Sequence, residues 1–187
     1  MNTDEAALLI ARTLDSLGTP YMIVGGYSSN VHGIPRSTQD VDVVLSVSAL
    51  AFPELLPHLG PGWRCDPQFS FETNTGTIRQ ILEFEASALK VELFALSNDH
   101  HDQSRFQRRI RKNLGGQSIS FPTAEDVIVW KLRWARPKDL DDVRNVILVK
   151  NDDKEELDWD YIRGWCAKHG TTERLEGVLA SMPQRSA

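Results

Sequence analysis

Asp40 and Asp42 open a run, Asp40-Val41-Asp42-Val43-Val44-Leu45-Ser46-Val47, that is otherwise apolar and largely β-branched. Such a run predicts a central strand. Side chains alternate faces along a strand, so the two carboxylates share one face while Val41 and Val43 take the other. Two carboxylates this close repel, and burying either without a partner is costly. A divalent cation removes both difficulties, because hard cations such as Mg2+ prefer oxygen ligands and are often held by one or two carboxylates with substrate phosphates. A simpler reading also stands: Asp40 caps a strand end and Asp42 pairs with a lysine or arginine.

The residues upstream must be explained by the same reading. Tyr21–Val24 is short and apolar and runs into Gly25-Gly26, as a buried strand entering a tight turn does. Glycine allows positive φ and a close backbone approach to a ligand. The following stretch, Tyr27 to Gly33, is long enough for a short helix, whose N-terminal N–H groups suit a phosphate. Ser28 or Ser29 adds a hydroxyl to the same oxygens. A glycine pair alone marks an ordinary turn; joined to Asp-x-Asp about fourteen residues later, it predicts a site. A third carboxylate is expected from a neighbouring strand. Glu92 is the sole acid in Lys-Val-Glu-Leu-Phe, and it is preferred to Glu83 and Glu85, which flank a turn and face solvent.

Along the chain, Asn2 or Thr3 caps a first helix with Ala7, Ile10, Leu14 and Leu17 on one face, ended by Gly18. Ser48 begins a helix to about Leu59. Residues 77–85 and 89–96 flank the polar turn at Ala86-Ser87, a hairpin signal. Residues 102–114 read as a basic helix and Gln117–Phe121 as an edge strand. Thr123 with Asp126 caps the next helix, and helices follow at 138–149 and from Trp159 to Met182. Strands stop near Pro122. The expected organisation is a core over 1–121 and a C-terminal helical region over 122–187, packed on it as one compact unit.

The chain has 187 residues and a formal charge of -5, with 41% hydrophobic residues, which suits one folded domain of about 100–200 residues. Only the terminal Met182–Ala187 is set aside as unstructured. Cys65 and Cys166 are too far apart in sequence for a metal or redox motif, so a reduced, cytoplasmic protein is expected. The acidic N-terminus does not read as a signal peptide. No apolar run approaches the roughly 18 residues of a membrane span, so no membrane partner is expected.

Gly25-Gly26-Tyr27-Ser28-Ser29, then Asp40-Val41-Asp42-Val43-Val44, then Val91-Glu92-Leu93-Phe94, resembles the nucleotidyltransferase superfamily pattern. With the downstream stretch from Pro122 to Ile147, it looks like the AbiEii-like branch of minimal nucleotidyltransferases, many of which are toxins of toxin–antitoxin or abortive-infection systems. The resemblance covers residues 21–149. It implies an α+β fold: a polymerase-beta-like mixed sheet flanked by helices, with a C-terminal helical region. It implies metal-dependent transfer of a nucleoside monophosphate from an NTP, ATP among the candidates, to an acceptor hydroxyl. Asp40, Asp42 and Glu92 would be catalytic and bind Mg2+ or Mn2+. Gly25, Gly26 and one of Ser28 and Ser29 would cradle the triphosphate. In the family the glycine turn often runs directly into serine, whereas here Tyr27 intervenes. The rival class is a non-catalytic module on the same fold that binds nucleotide or a partner. A third is small-molecule modification, as in antibiotic nucleotidyltransferases.

Around that site several residues keep two readings. Arg36 and Thr38 contact the base, the phosphates or Asp40, or Arg36 is a solvated loop residue. Lys131, between Trp130 and Leu132, reaches the triphosphate by family likeness or snorkels to water. Asp139 and Asp142 orient Lys131 or Arg136, or face solvent beside Lys138 and Arg144. His32 is a helix-end or loop residue, His100 and His101 lie in a polar loop, and the five Trp are mostly core. Arg105–Asn113 holds five basic residues within eight positions. It is an RNA contact, with an RNA end as acceptor, or a solvated helix face, or a surface for an acidic partner. A protein hydroxyl is the other acceptor, and a cognate antitoxin is a further partner implied by the toxin likeness.

Overall fold

The computed structural model describes residues 1–73 and 75–183. The elements are α1 (Thr3–Ser16), β1 (Tyr21–Val24), α2 (Gly25–His32), β2 (Asp40–Leu45), a 3-10 helix (Ala49–Leu55) leading into α3 (Leu56–Leu59), β3 (Trp63–Cys65), β4 (Ser70–Glu72), β5 (Thr77–Phe84), β6 (Lys90–Ala95), α4 (His100–Gln107), β7 (Ile110–Leu114), β8 (Gln117–Phe121), α5 (Ala124–Trp134), α6 (Pro137–Asp152), α7 (Trp159–His169) and α8 (Thr172–Ala180). The fold is α+β, with a mixed sheet and helices. Contacts divide it into two units: Met1–Ser28 with Ser37–Pro122, and Ser29–Arg36 with the chain from Thr123 onward. The division falls within α2.

In the first unit the main sheet has the order β1-β2-β6-β5-β3, with β4 also on β5. β2 and β6 run parallel, and the other pairs are antiparallel. The β5–β6 hairpin turns at Ala86-Ser87, where the Ser87 N–H donates to the Phe84 carbonyl. Alternation along β2 is as its residues dictate: Val41 and Val43 are wholly buried, while Asp40 and Asp42 are half-buried on the other face. Asn2 caps α1 in a reciprocal box with Glu5. The helix buries Ala7, Ile10 and Leu14, but Leu17 lies at its exposed end. Ser48 caps the 3-10 helix through the Leu50 N–H.

The basic run departs from the expected helix. α4 stops at Gln107, and Ile110–Leu114 forms β7, paired with β8 around Gly115-Gly116. Both glycines have positive φ, 57° and 82°, a conformation that turns the hairpin and that a continuing helix cannot use. The basic residues also part company. Arg105 is buried against Asp102, at 2.6 Å, and Arg111 bonds Asp15 at 2.8 Å. His100 and His101 begin α4 rather than lying in a loop, and His101 is fully buried. β3 and β4, short and flanked by loops, carry too few residues for a periodic signal.

In the second unit, α5–α8 enclose Val127, Ile128, Leu132, Val143, Val146, Ile147, Ile162, Cys166, Leu175 and Val178. Thr123 caps α5 as expected, accepting from the Asp126 N–H and donating to its carboxylate at 2.8 Å. Trp130, Trp134, Trp159 and Trp165 are only part-buried, each faced by a basic side chain: Arg133, Arg136, Arg163 and Lys168. Of the five Trp, only Trp63 is truly enclosed. Among the described residues no helix is long and apolar enough to cross a membrane.

Candidate active site

Val24, the last residue of β1, lies opposite Asp42 in the antiparallel β1–β2 register, so the turn after β1 is delivered beside that carboxylate. Gly25 takes φ +64°, and a Cβ there would stand 1.8 Å from Asp42 Oδ2. Only glycine satisfies both the conformation and the contact. At Gly26 a Cβ would lie 2.6 Å from Thr38 Oγ1. Thr38 in turn reaches Asp40, its hydroxyl 3.1 Å from Oδ1. The two glycines thus let backbone approach both acids of β2.

The parallel pairing of β2 with β6 sets Glu92 directly beside Asp42, and Lys90 beside Asp40. In-register residues of neighbouring strands share a face, so Asp40, Asp42 and Glu92 project together. Glu92 is not open, however: its Oε2 accepts from Arg79 Nη1 at 2.9 Å. Lys90 is half-exposed and directed to Glu83, at 3.6 Å. Among the described residues no group of three or more His, Cys, Asp or Glu is placed to hold a metal ion. What the face offers is a pair of hard carboxylates on β2, next to a cradle that a Cβ would fill. That donor set fits a divalent cation completed by substrate phosphates.

α2 begins at this turn, and the first N–H groups of a helix lack intrahelical partners. Ser28 Oγ donates to the Gly25 carbonyl at 2.9 Å, and Ser28 and Ser29 are both 3% exposed. Tyr27, the residue that interrupts the Gly-Ser pattern, is an anchor. Its ring is buried, and its hydroxyl donates to Asp4 of α1 at 2.6 Å. Burial, and then the bond to Asp4, push that phenol well above its ordinary value. Thr3, on the same end of α1, donates to the Thr38 carbonyl at 3.4 Å. One helix end therefore steadies both the turn and the strand entry.

The second unit carries its own charged cluster. Lys131 Nζ lies 3.1 Å from Asp139 and 2.8 Å from Asp142, with its side chain 5% exposed. Its ammonium is therefore enclosed, not carried to water. Arg36 clasps Asp142 through Nε at 2.7 Å and Nη2 at 2.8 Å, so its guanidinium is ion-paired rather than solvated on a loop. Arg136 holds Asp139 through Nε at 2.6 Å. Asp139 and Asp142 are buried rather than solvent-facing, and Arg144 takes the exposed Asp141 instead. Burial alone would raise the Asp139 and Asp142 carboxyls. The bonds and charges of Arg136 and Lys131 on the first, and of Arg36 and Lys131 on the second, bring both below the usual carboxylate range.

Two contributors escaped sequence reasoning. Asp4 lies in what reads as an ordinary acidic first turn. Arg79 is a lone cation within the apolar alternation of β5, and pairing β5 with β6 as the expected hairpin would have shown that it can reach Glu92.

Comparison with known proteins agrees with this arrangement at the level of fold. No curated protein matches the chain. Among solved structures, an antigenic nucleotidyltransferase-like protein from Paracoccidioides brasiliensis is similar at 20% identity and a TM-score of 0.54, covering 96% of this chain and 93% of its own. The antibiotic-resistance factor ANT(2'')-Ia is similar at 14% identity and a TM-score of 0.55, covering 94% and 98%. At these identities the likeness is one of fold. The family model described as nucleotidyltransferase of unknown function, DUF6036, matches residues 1–175, and this chain belongs to that family.

Proposed function

We propose that the protein transfers a nucleoside monophosphate from an NTP to an acceptor hydroxyl with the help of Mg2+ or Mn2+. The observation that carries this reading is Asp42 Oδ2 seated against a glycine turn that no other residue can make, with Glu92 beside it in register. Phosphoryl transfer asks chiefly for positioning and charge neutralisation. A bound divalent cation would supply neutralisation of the triphosphate. Asp40 and Asp42 would hold it, Asp40 oriented by Thr38. The N–H groups at the start of α2, after Gly25-Gly26, receive the phosphate oxygens. The acceptor oxygen forms a bond to the α-phosphorus, the bond from that phosphorus to the bridging oxygen breaks, and pyrophosphate leaves. Glu92 Oε1 accepts the hydroxyl proton.

With Ser28 and Ser29 turned inward, they act by shaping α2 rather than by touching phosphate. Lys131 and Arg36 act by holding Asp139 and Asp142. The acceptor is an RNA end or a protein hydroxyl, and the AbiEii-like pattern makes a toxin with a cognate antitoxin the setting to test first. Incubation with each α-labelled NTP, Mg2+ and total RNA, with and without cell protein, tests the reading. Label should appear in RNA or protein and vanish with Asp42→Ala. NTP binding without transfer to any acceptor would replace the enzyme with a binding module on the same fold.

A further inference from the structure

The acid that completes the carboxylate face is occupied by a cation of the chain itself. Arg79 lies on β5, where Ile81 is opposite Glu92 and Arg79 opposite Phe94. Arg79 and Glu92 are thus diagonal neighbours on one face, a spacing that a long side chain spans. The bond between them is 2.9 Å, with the two side chains 33% and 19% exposed. This is a partly enclosed pair, held more firmly than one fully in water.

We propose that Arg79 keeps Glu92 out of metal coordination, so that the site binds its nucleotide with one divalent cation, at Asp40 and Asp42, and Arg79 stands where a second would bind. The proposal rests on the nucleotidyltransferase reading above. Three carboxylates on one sheet face would draw two cations; the guanidinium neutralises one of them by a charge-assisted bond. A second metal ion at Glu92 would have to break that bond or sit on Oε1 against the charge of the adjacent guanidinium. Arg79 is a positioning residue: it fixes Glu92 Oε2 and leaves Oε1 for the acceptor.

The test counts ions rather than turnover. The full chain is saturated with α,β-methylene-ATP and titrated with Mn2+, and free Mn2+ is followed by electron paramagnetic resonance. Wild type should bind one ion per chain and Arg79→Met two. Glu92→Gln should still bind one, within about threefold of the wild-type affinity, because losing a ligand would weaken binding by at least roughly tenfold. Two ions in wild type, one in a folded Arg79→Met, or a tenfold loss in Glu92→Gln overturns the proposal. If Arg79→Met does not fold, the Glu92→Gln titration decides alone. No ion bound by wild type, with no nucleotide bound, overturns the nucleotidyltransferase reading itself, a different outcome from two ions bound.

Discussion

Asp139 and Asp142 are enclosed in the second unit, yet each meets cations from two sides: Lys131 with Arg136 for one, Lys131 with Arg36 for the other. Asp40 and Asp42 in the first unit are half-buried: Asp40 accepts from the Thr38 hydroxyl, and Asp42 stands against the Gly25 turn. Both clusters place close carboxylates on one element, at i and i+3 of a helix or i and i+2 of a strand. The helix pair is neutralised within the protein and holds structure together. The strand pair is half-buried beside a backbone turn, as a ligand site requires. Glu92 lies between these cases, on the site's face but with its charge met by Arg79.

If that contrast is right, equal changes in the two clusters give unlike results. Asp42→Asn keeps the size of the side chain and should leave the melting temperature nearly unchanged while cutting NMP transfer roughly 10^3-fold, the scale of losing a major electrostatic group in an active site. Comparable losses of activity and stability would erase the distinction. Lys131→Met should do the reverse, destabilising the fold by about 1.5–3 kcal/mol in urea unfolding, because it takes one of two cationic partners from each of two buried carboxylates.

The same cluster fixes a pH dependence. The folded carboxyls of Asp139 and Asp142 titrate below their unfolded value, near about 3.9. Their contribution is therefore present above that value and lost as pH falls through the lower folded ones. In Lys131→Met, acid unfolding followed by circular dichroism should begin at higher pH than in wild type.

Gly25→Ala tests the turn. Its φ of +64° costs a non-glycine residue about 1–2 kcal/mol, and the added Cβ would displace Asp42 Oδ2. Activity should therefore fall well beyond what the stability loss explains. The smallest effect is expected within α6 itself. Asp141 is 68% exposed and paired with Arg144, so Arg144→Ala should change stability by no more than about 0.5 kcal/mol. A loss as large as that of Lys131→Met would mean that burial does not separate α6's acids.

The strand of Asp40 and Asp42, its glycine turn and the β5–β6 hairpin were legible because period-two alternation and turn chemistry are local signals. Glu92 was legible for the same reason, as the lone acid of an apolar strand. What was hidden depends on pairing between distant segments. Arg79 becomes significant only once the register of β5 on β6 is known, and Tyr27 only once α1 brings Asp4 to it. The basic run from Arg105 misled because charge density outweighed its breaker. Gly115-Gly116 turns a hairpin, and the strand before it contains Arg111 and Lys112. For Lys131 the sequence left two readings, triphosphate contact or snorkelling, and offered Asp139 and Asp142 as partners or as solvent-facing acids; only the packing of α5 on α6 shows that they enclose its charge.

Anomalous diffraction from crystals grown with Mn2+ and a non-hydrolysable NTP examines the foundation of all this in one step. The expected result is a manganese peak bridged by carboxylate oxygens of Asp40 and Asp42, with the triphosphate at the N-terminal end of α2. A nucleotide bound elsewhere, or a peak that avoids both aspartates, would contradict it.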